Sequence, residues 1–186
     1  MTISLGNKEI TLEHITISQY NRIIEEPDMK DINYISMMTG LSIEELRDVE
    51  NGQIHFVSKF LKTWVNSLQK TPLTEIREYK GQKLGLLQPK SITYGEFSDL
   101  HVLISQEKQD YNMICSILYR PVIEGEGEDR EIVKYDYDEC VKRSKDMGDF
   151  PINDYISALF FFVKYYELQL EDFRLSLEKN KKKKEG

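Results

Sequence analysis

The segment that most constrains this chain begins at Phe150-Pro151. Ile152, Tyr155, Ile156, Leu159, Phe162, Val163 and Tyr166 recur at helical spacing, and Phe160 and Phe161 extend the apolar face nearly all round. A helix that is apolar on almost every side must be buried, so it is either the centre of a core or an interface. Pro151 or Ile152 opens its first turn, where the fixed proline φ suits a helix start. The most apolar stretch, 156–163, is shorter than the roughly 20 residues a bilayer span needs, and no membrane partner is expected. Beyond Leu170 the pattern becomes amphipathic and runs into Lys179 and the lysines at 181–184, cations that suit the negative end of a helix dipole.

The rest of the chain alternates hairpins with amphipathic helices. Thr2–Leu5 and 9–12 alternate apolar and polar residues around Gly6-Asn7, which predicts a β-hairpin. Ile17, Tyr20, Ile23 and Ile24 predict a helix closed by Pro27, and Ile32, Ile35 and Met38 a second one with Gly40 as its C-cap. Ser42 and Glu45 form a capping box. Asn51-Gly52 precedes the clearest amphipathic helix, in which Ile54, Val57, Leu61, Trp64 and Leu68 form a stripe widened by Phe60 and Val65. Pro72 changes the register. Ile76–Tyr79 and 83–87 flank Lys80-Gly81-Gln82 as a second hairpin. Thr93 and Glu96 form another capping box, opening a helix through Phe97, Leu100 and Ile104. A buried-looking helix over 111–119 is ended by Arg120-Pro121. Val122-Ile123 and Ile132-Val133 flank an acidic loop, which allows a third hairpin, and Asp138 is placed to cap a short helix carrying Cys140 and Val141.

These elements predict an α+β, mainly α fold: a helical domain with several short β-hairpins, its amphipathic helices packed around the aromatic C-terminal helix. The change of pattern at Pro72 suggests an N-terminal half, 1–70, and a C-terminal lobe, 73–186, with a Lys-rich tail. A single domain over 1–178 is the alternative.

Chemistry is sparse. A net charge of −7 over 186 residues argues against a dedicated nucleic-acid binder, which needs a basic face. Cys115 and Cys140 cannot build a disulfide framework or a four-ligand zinc site, and Cys115 reads as a small buried hydrophobe. His14, His55 and His101 have no ligand-like spacing. Gly125-Glu126-Gly127 has acidic neighbours that repel phosphate, and no serine or cysteine lies beside an activating base. Glu124, Glu126, Glu128 and Asp129 are oxygen ligands, but at no EF-hand spacing, and a solvated hairpin tip explains them as well. No catalytic centre, cofactor or metal is therefore expected. Tyr119 and Arg120 at a helix end, Tyr165 with Tyr166, and the pair Phe160 and Phe161 are the candidates for binding another protein.

Several segments in order resemble a family of tailed-bacteriophage morphogenesis proteins, the tail assembly chaperones or baseplate hub assembly proteins. They are ITLEHITISQYNRI, YISMMTGLSIEELRDV, REYKGQKLGLL, ITYGEFSDL, ICSILYRPV and MGDFPINDYISALFFFVKYYEL, spanning roughly residues 9 to 170. The most specific pieces are Thr93-Tyr94-Gly95-Glu96-Phe97 and Ile117-Leu118-Tyr119-Arg120-Pro121. The Lys-rich end and the long aromatic run Phe160-Phe161-Phe162 with Tyr165-Tyr166 depart from the pattern. The resemblance implies a non-enzymatic tail or baseplate assembly chaperone, or a minor virion structural subunit. Its partners would be phage structural proteins of the tail, baseplate or connector, with a symmetric homo-oligomeric ring as one form. It would sit in the host cytoplasm or be retained in the virion. The alternative reading is a small regulatory protein that binds nucleic acid through its Lys-rich tail or the 54–68 helix.

Overall fold

Three helix starts in this chain are written by capping boxes. In the computed structural model, which describes residues 1–68 and 72–184, Thr16, Ser42 and Thr93 each accept a hydrogen bond from the amide three residues on. Gln19, Glu45 and Glu96 reach back to the cap amides, so two otherwise orphaned donors are satisfied at each start. Within those bounds the side chains of Glu128, Gln169, Leu170 and 172–184 are not described, and the expected Lys-rich tail lies among them.

The order is β1 (Thr2–Leu5), β2 (Lys8–Thr11), α1 (Ile17–Glu25), α2 (Asp31–Thr39), α3 (Ile43–Arg47) and α4 (Asn51–Asn66). Then follow β3 (Ile76–Tyr79), β4 (Gln82–Leu86), α5 (Tyr94–Ile104), α6 (Tyr111–Leu118), β5 (Tyr119–Glu124), β6 (Glu131–Ile132), α7 (Tyr137–Ser144) and α8 (Ile152–Lys184). Helix far outweighs strand among the described residues, so the fold is α+β and mainly α. β1 and β2 pair as an isolated hairpin, while the second sheet has the antiparallel order β3-β4-β5-β6.

Four local expectations shift. The helix expected over 111–119 ends at Leu118, and Tyr119 is already extended as the first residue of β5. The reason is Pro121, which disfavours helical backbone at the residue before it and allows Arg120 to join the sheet. α7 is capped by Asp136, not Asp138, through a 3.0 Å bond from the Glu139 amide. Asn51 and Gly52 form the first turn of α4 instead of a loop before it. Phe60 does not widen the buried stripe of α4: it is exposed, as is Phe56 one turn earlier.

One buried cluster crosses the division expected at Pro72. It joins Ile3 and Leu5 of β1 and Ile54, Val57, Leu61 and Val65 of α4 to the interior of α6 and to Ile152, Tyr155, Ala158 and Phe162 of α8. The seam is also a backbone one. Ile17 donates to the Phe150 carbonyl at 3.0 Å and Ile152 to that of Ile15 at 2.8 Å, with Thr16 and Pro151 bridged between them.

α2 is fastened to α4 by Asp31, whose carboxylate accepts from Ser58 at 2.7 Å and Lys62 at 3.0 Å and lies 2.9 Å from His55 Nδ1. The Ser58 hydroxyl, then His55 and Lys62, lower the Asp31 pKa to about 2. A depressed carboxylate contributes stability that is fully present above its unfolded pKa, near 3.9, and is lost as pH falls through the folded value. Asp31 should accordingly titrate near 2 by carboxyl-carbon NMR, and Ser58→Ala should move that midpoint upward. A midpoint unchanged by Ser58→Ala would contradict the assignment.

β4 and its neighbours leave no room beside Gly85. A methyl there would sit 2.7 Å from Cγ2 of Ile132 and 3.0 Å from Cγ2 of Val122. Gly85→Ala is expected to lower stability by about 1–3 kcal/mol, the usual cost of overpacking, in urea unfolding. The penalty should shrink in an Ile132→Ala background.

Candidate protein-binding surface

The six aromatic and basic residues expected to meet a partner divide into an interior set and an exposed set. Tyr119 and Arg120 belong to the interior. Tyr119 is fully buried at the start of β5, and its hydroxyl donates to the Thr74 carbonyl at 2.6 Å. Arg120 donates from Nη2 to Oε1 of Glu96 at 2.5 Å, with 4% and 2% of the two side chains exposed. Neither residue is on a surface that a partner could reach, since both side chains are buried. Glu96 thus has two duties: one oxygen closes the α5 capping box, the other neutralises Arg120.

A second interior carboxylate anchors α8. Asp154, 2% exposed, accepts from Thr74 Oγ1 at 2.7 Å and Arg77 Nε at 2.5 Å. Arg130 holds the other side of the sheet, donating to the Leu86 carbonyl at 2.9 Å, to Glu75 at 2.8 Å and to the Gly127 carbonyl. Asp154 and Arg130 were not singled out in the sequence. The signals were weak: an acid in the first turn of a helix and a lone arginine beside an acidic loop.

The exposed set lies on α8. Its buried stripe passes through Ile152, Tyr155, Ala158 and Phe162, which leaves Phe160 69% and Phe161 37% exposed on the other side. Tyr166 is drawn inward against Phe97 of α5, with ring centroids 4.5 Å apart. Tyr165 and Phe161 line one wall of a trough of about 230 Å³, whose other walls are Leu73, Leu86, Leu87 and Pro89 together with Glu75, Gln88, Lys90 and Arg130. A wider groove of about 730 Å³ adjoins it, formed by Leu73, Ile156, Leu159, Phe160, Phe161 and Val163, with Ser157 and Lys164. Leu73 and Phe161 are common to both, so the two form one mainly apolar channel beside α8.

The channel is lined mainly by apolar side chains. Its buried charge, Arg130, donates to the Leu86 and Gly127 carbonyls and to Glu75, while Lys90 and Lys164 stand among the apolar side chains of the walls. Elsewhere His55 pairs with Asp31 and His101 stacks on Phe97. Burial pushes the Cys115 thiol well above its ordinary pKa. No group of three or more His, Cys, Asp or Glu side chains converges among the described residues, and no helix among them is long and apolar enough to cross a membrane.

Comparison with known protein families, curated proteins and solved structures finds no match to this chain.

Two substitution pairs separate interior from surface. Glu96→Gln should cost about 3–5 kcal/mol by leaving a buried guanidinium unpaired, whereas Glu96→Leu with Arg120→Met should be much milder. Phe162→Ala should cost about 3–5 kcal/mol, while Phe160→Ser, at the exposed position, should stay within about 0.5 kcal/mol of the parent. Thermal and urea unfolding check both.

Proposed function

We propose that the chain is a non-enzymatic bacteriophage morphogenesis protein, a tail or baseplate assembly chaperone or a minor virion subunit. It acts in the host cytoplasm by binding phage structural proteins. The observation that carries this reading is the apolar channel beside α8, with Phe160 and Phe161 exposed at its rim. Aromatic residues left in water at the edge of a groove are the usual anchors of a protein interface. A chaperone would use such a channel to cover an apolar segment of a tail protein before polymerisation; a permanent subunit would keep it filled. The ordered resemblance of the segments between residues 9 and 170 supplies the phage context. The two motifs most specific to it also meet in space, through Glu96 and Arg120.

Mass spectrometry of intact particles and of infected-cell lysate tests the reading. Stoichiometric recovery from particles makes the protein a virion component; recovery only from lysate, bound to a tail or baseplate protein, makes it a released chaperone. Recovery from neither overturns the proposal. In the same pull-down, Phe161→Ser is expected to reduce capture at least tenfold while leaving the fold intact, since losing one aromatic anchor of an interface commonly costs more than about 1.4 kcal/mol.

A further inference from the structure

α4 is a cationic, aromatic helix in an acidic chain. Its sixteen residues, Asn51–Asn66, include no Asp or Glu, although the chain carries a net charge of −7. Its inner stripe packs on α2 and β1, while the outer face exposes Phe56 at 70% and Phe60 at 46%. These two side chains are four residues apart and therefore neighbours on the helix surface. Lys59 lies beside them, exposed and with no ion-pair partner among the described residues. Lys62 adds a second cation, shared with Asp31.

The complement of this face is on the same chain. The β5–β6 hairpin exposes Ile123 at 58%, and Val133 just beyond it at 37%. The exposed charges between them are Glu124, Glu126, Asp129 and Glu131. Gly125 shapes this tip: it has φ of +81°, and a methyl there would sit 2.5 Å from the Asp129 carbonyl oxygen, so the turn is fixed tightly. One surface presents Phe56 and Phe60 beside Lys59, and the other presents Ile123 and Val133 among four exposed carboxylates, with Lys134 next to Val133. Both stand uncovered in the single chain.

We propose that these two surfaces bind each other between copies: the acidic β5–β6 tip of one copy docks on the Phe56–Lys59–Phe60 face of α4 in the next. The contact is head-to-tail, so each copy offers one donor tip and one acceptor face, and repetition closes a ring or extends a filament according to the rotation between copies. Matching charge favours this partner over an unrelated apolar surface and makes the association weaken with salt. It is separate from the α8 channel and stands whether or not that channel binds a phage protein.

The test is analytical ultracentrifugation of the full chain at up to about 1 mM, the weak end of specific association. Wild type should associate reversibly with concentration, less so as salt rises. Two variants, Phe56→Ser with Phe60→Ser, and Ile123→Ser with Glu124→Lys and Glu126→Lys, should each be folded by circular dichroism and monomeric. Mixed one to one, they should form a dimer and stop there, because only one intact face and one intact tip remain. The proposal is overturned if wild type is monomeric throughout. It is equally overturned if either folded variant associates like wild type, or if wild type associates and the mixture does not.

Discussion

The buried ion pair between Glu96 and Arg120 is the constraint around which the C-terminal half is arranged. A guanidinium taken out of water must be met by a carboxylate in good geometry, or the fold carries an uncompensated charge. Meeting it fixes three things together. Glu96 must be at the start of α5, where its other oxygen closes the capping box. Arg120 must be in β5, opposite Gly85 of β4, which fixes the sheet register. Tyr119, one residue earlier, must then point to the opposite face, where its hydroxyl meets the Thr74 carbonyl and its ring lies 5.0 Å from that of Phe150. Asp154 completes the arrangement by holding Thr74 and Arg77 to the first turn of α8.

With α8 anchored at that end, its aromatic excess is divided by geometry. The helix can bury only the stripe that faces α5 and α6, so Phe162 goes in and Phe160 and Phe161 stay out. The apolar channel is the result of packing a helix with too many aromatic residues against a sheet of four short strands. Similar logic holds for α4, where Ile54, Val57, Leu61 and Val65 satisfy the core and leave Phe56 and Phe60 in water.

Much of this was legible in the sequence, for reasons that are local. Capping boxes at Ser42 and Thr93, the left-handed Gly40 and the hairpin at Lys80-Gly81 act over three or four residues, and the folded chain keeps them. What could not be read was which charged residue would be interior. Arg120 followed by Pro121 looks like an exposed helix end, and only its pairing with Gly85 of β4 and its ion pair with Glu96 of α5 place it inside. Phe60 failed for a related reason: helical periodicity says which residues share a face but not how wide a neighbour α2 will be. Phe160 and Phe161 were legible as core or interface alike, since both demand the same composition, and burial alone divides them.

The central claim is that the channel beside α8 is where a structural protein of the phage is held. Hydrogen exchange on the chain, alone and co-purified with its captured partner, tests this most directly. The account predicts added protection in peptides covering 73–89 and 156–165, with the amides of the buried α6 unchanged. Protection confined to other segments, with those two unaltered by the partner, would contradict it.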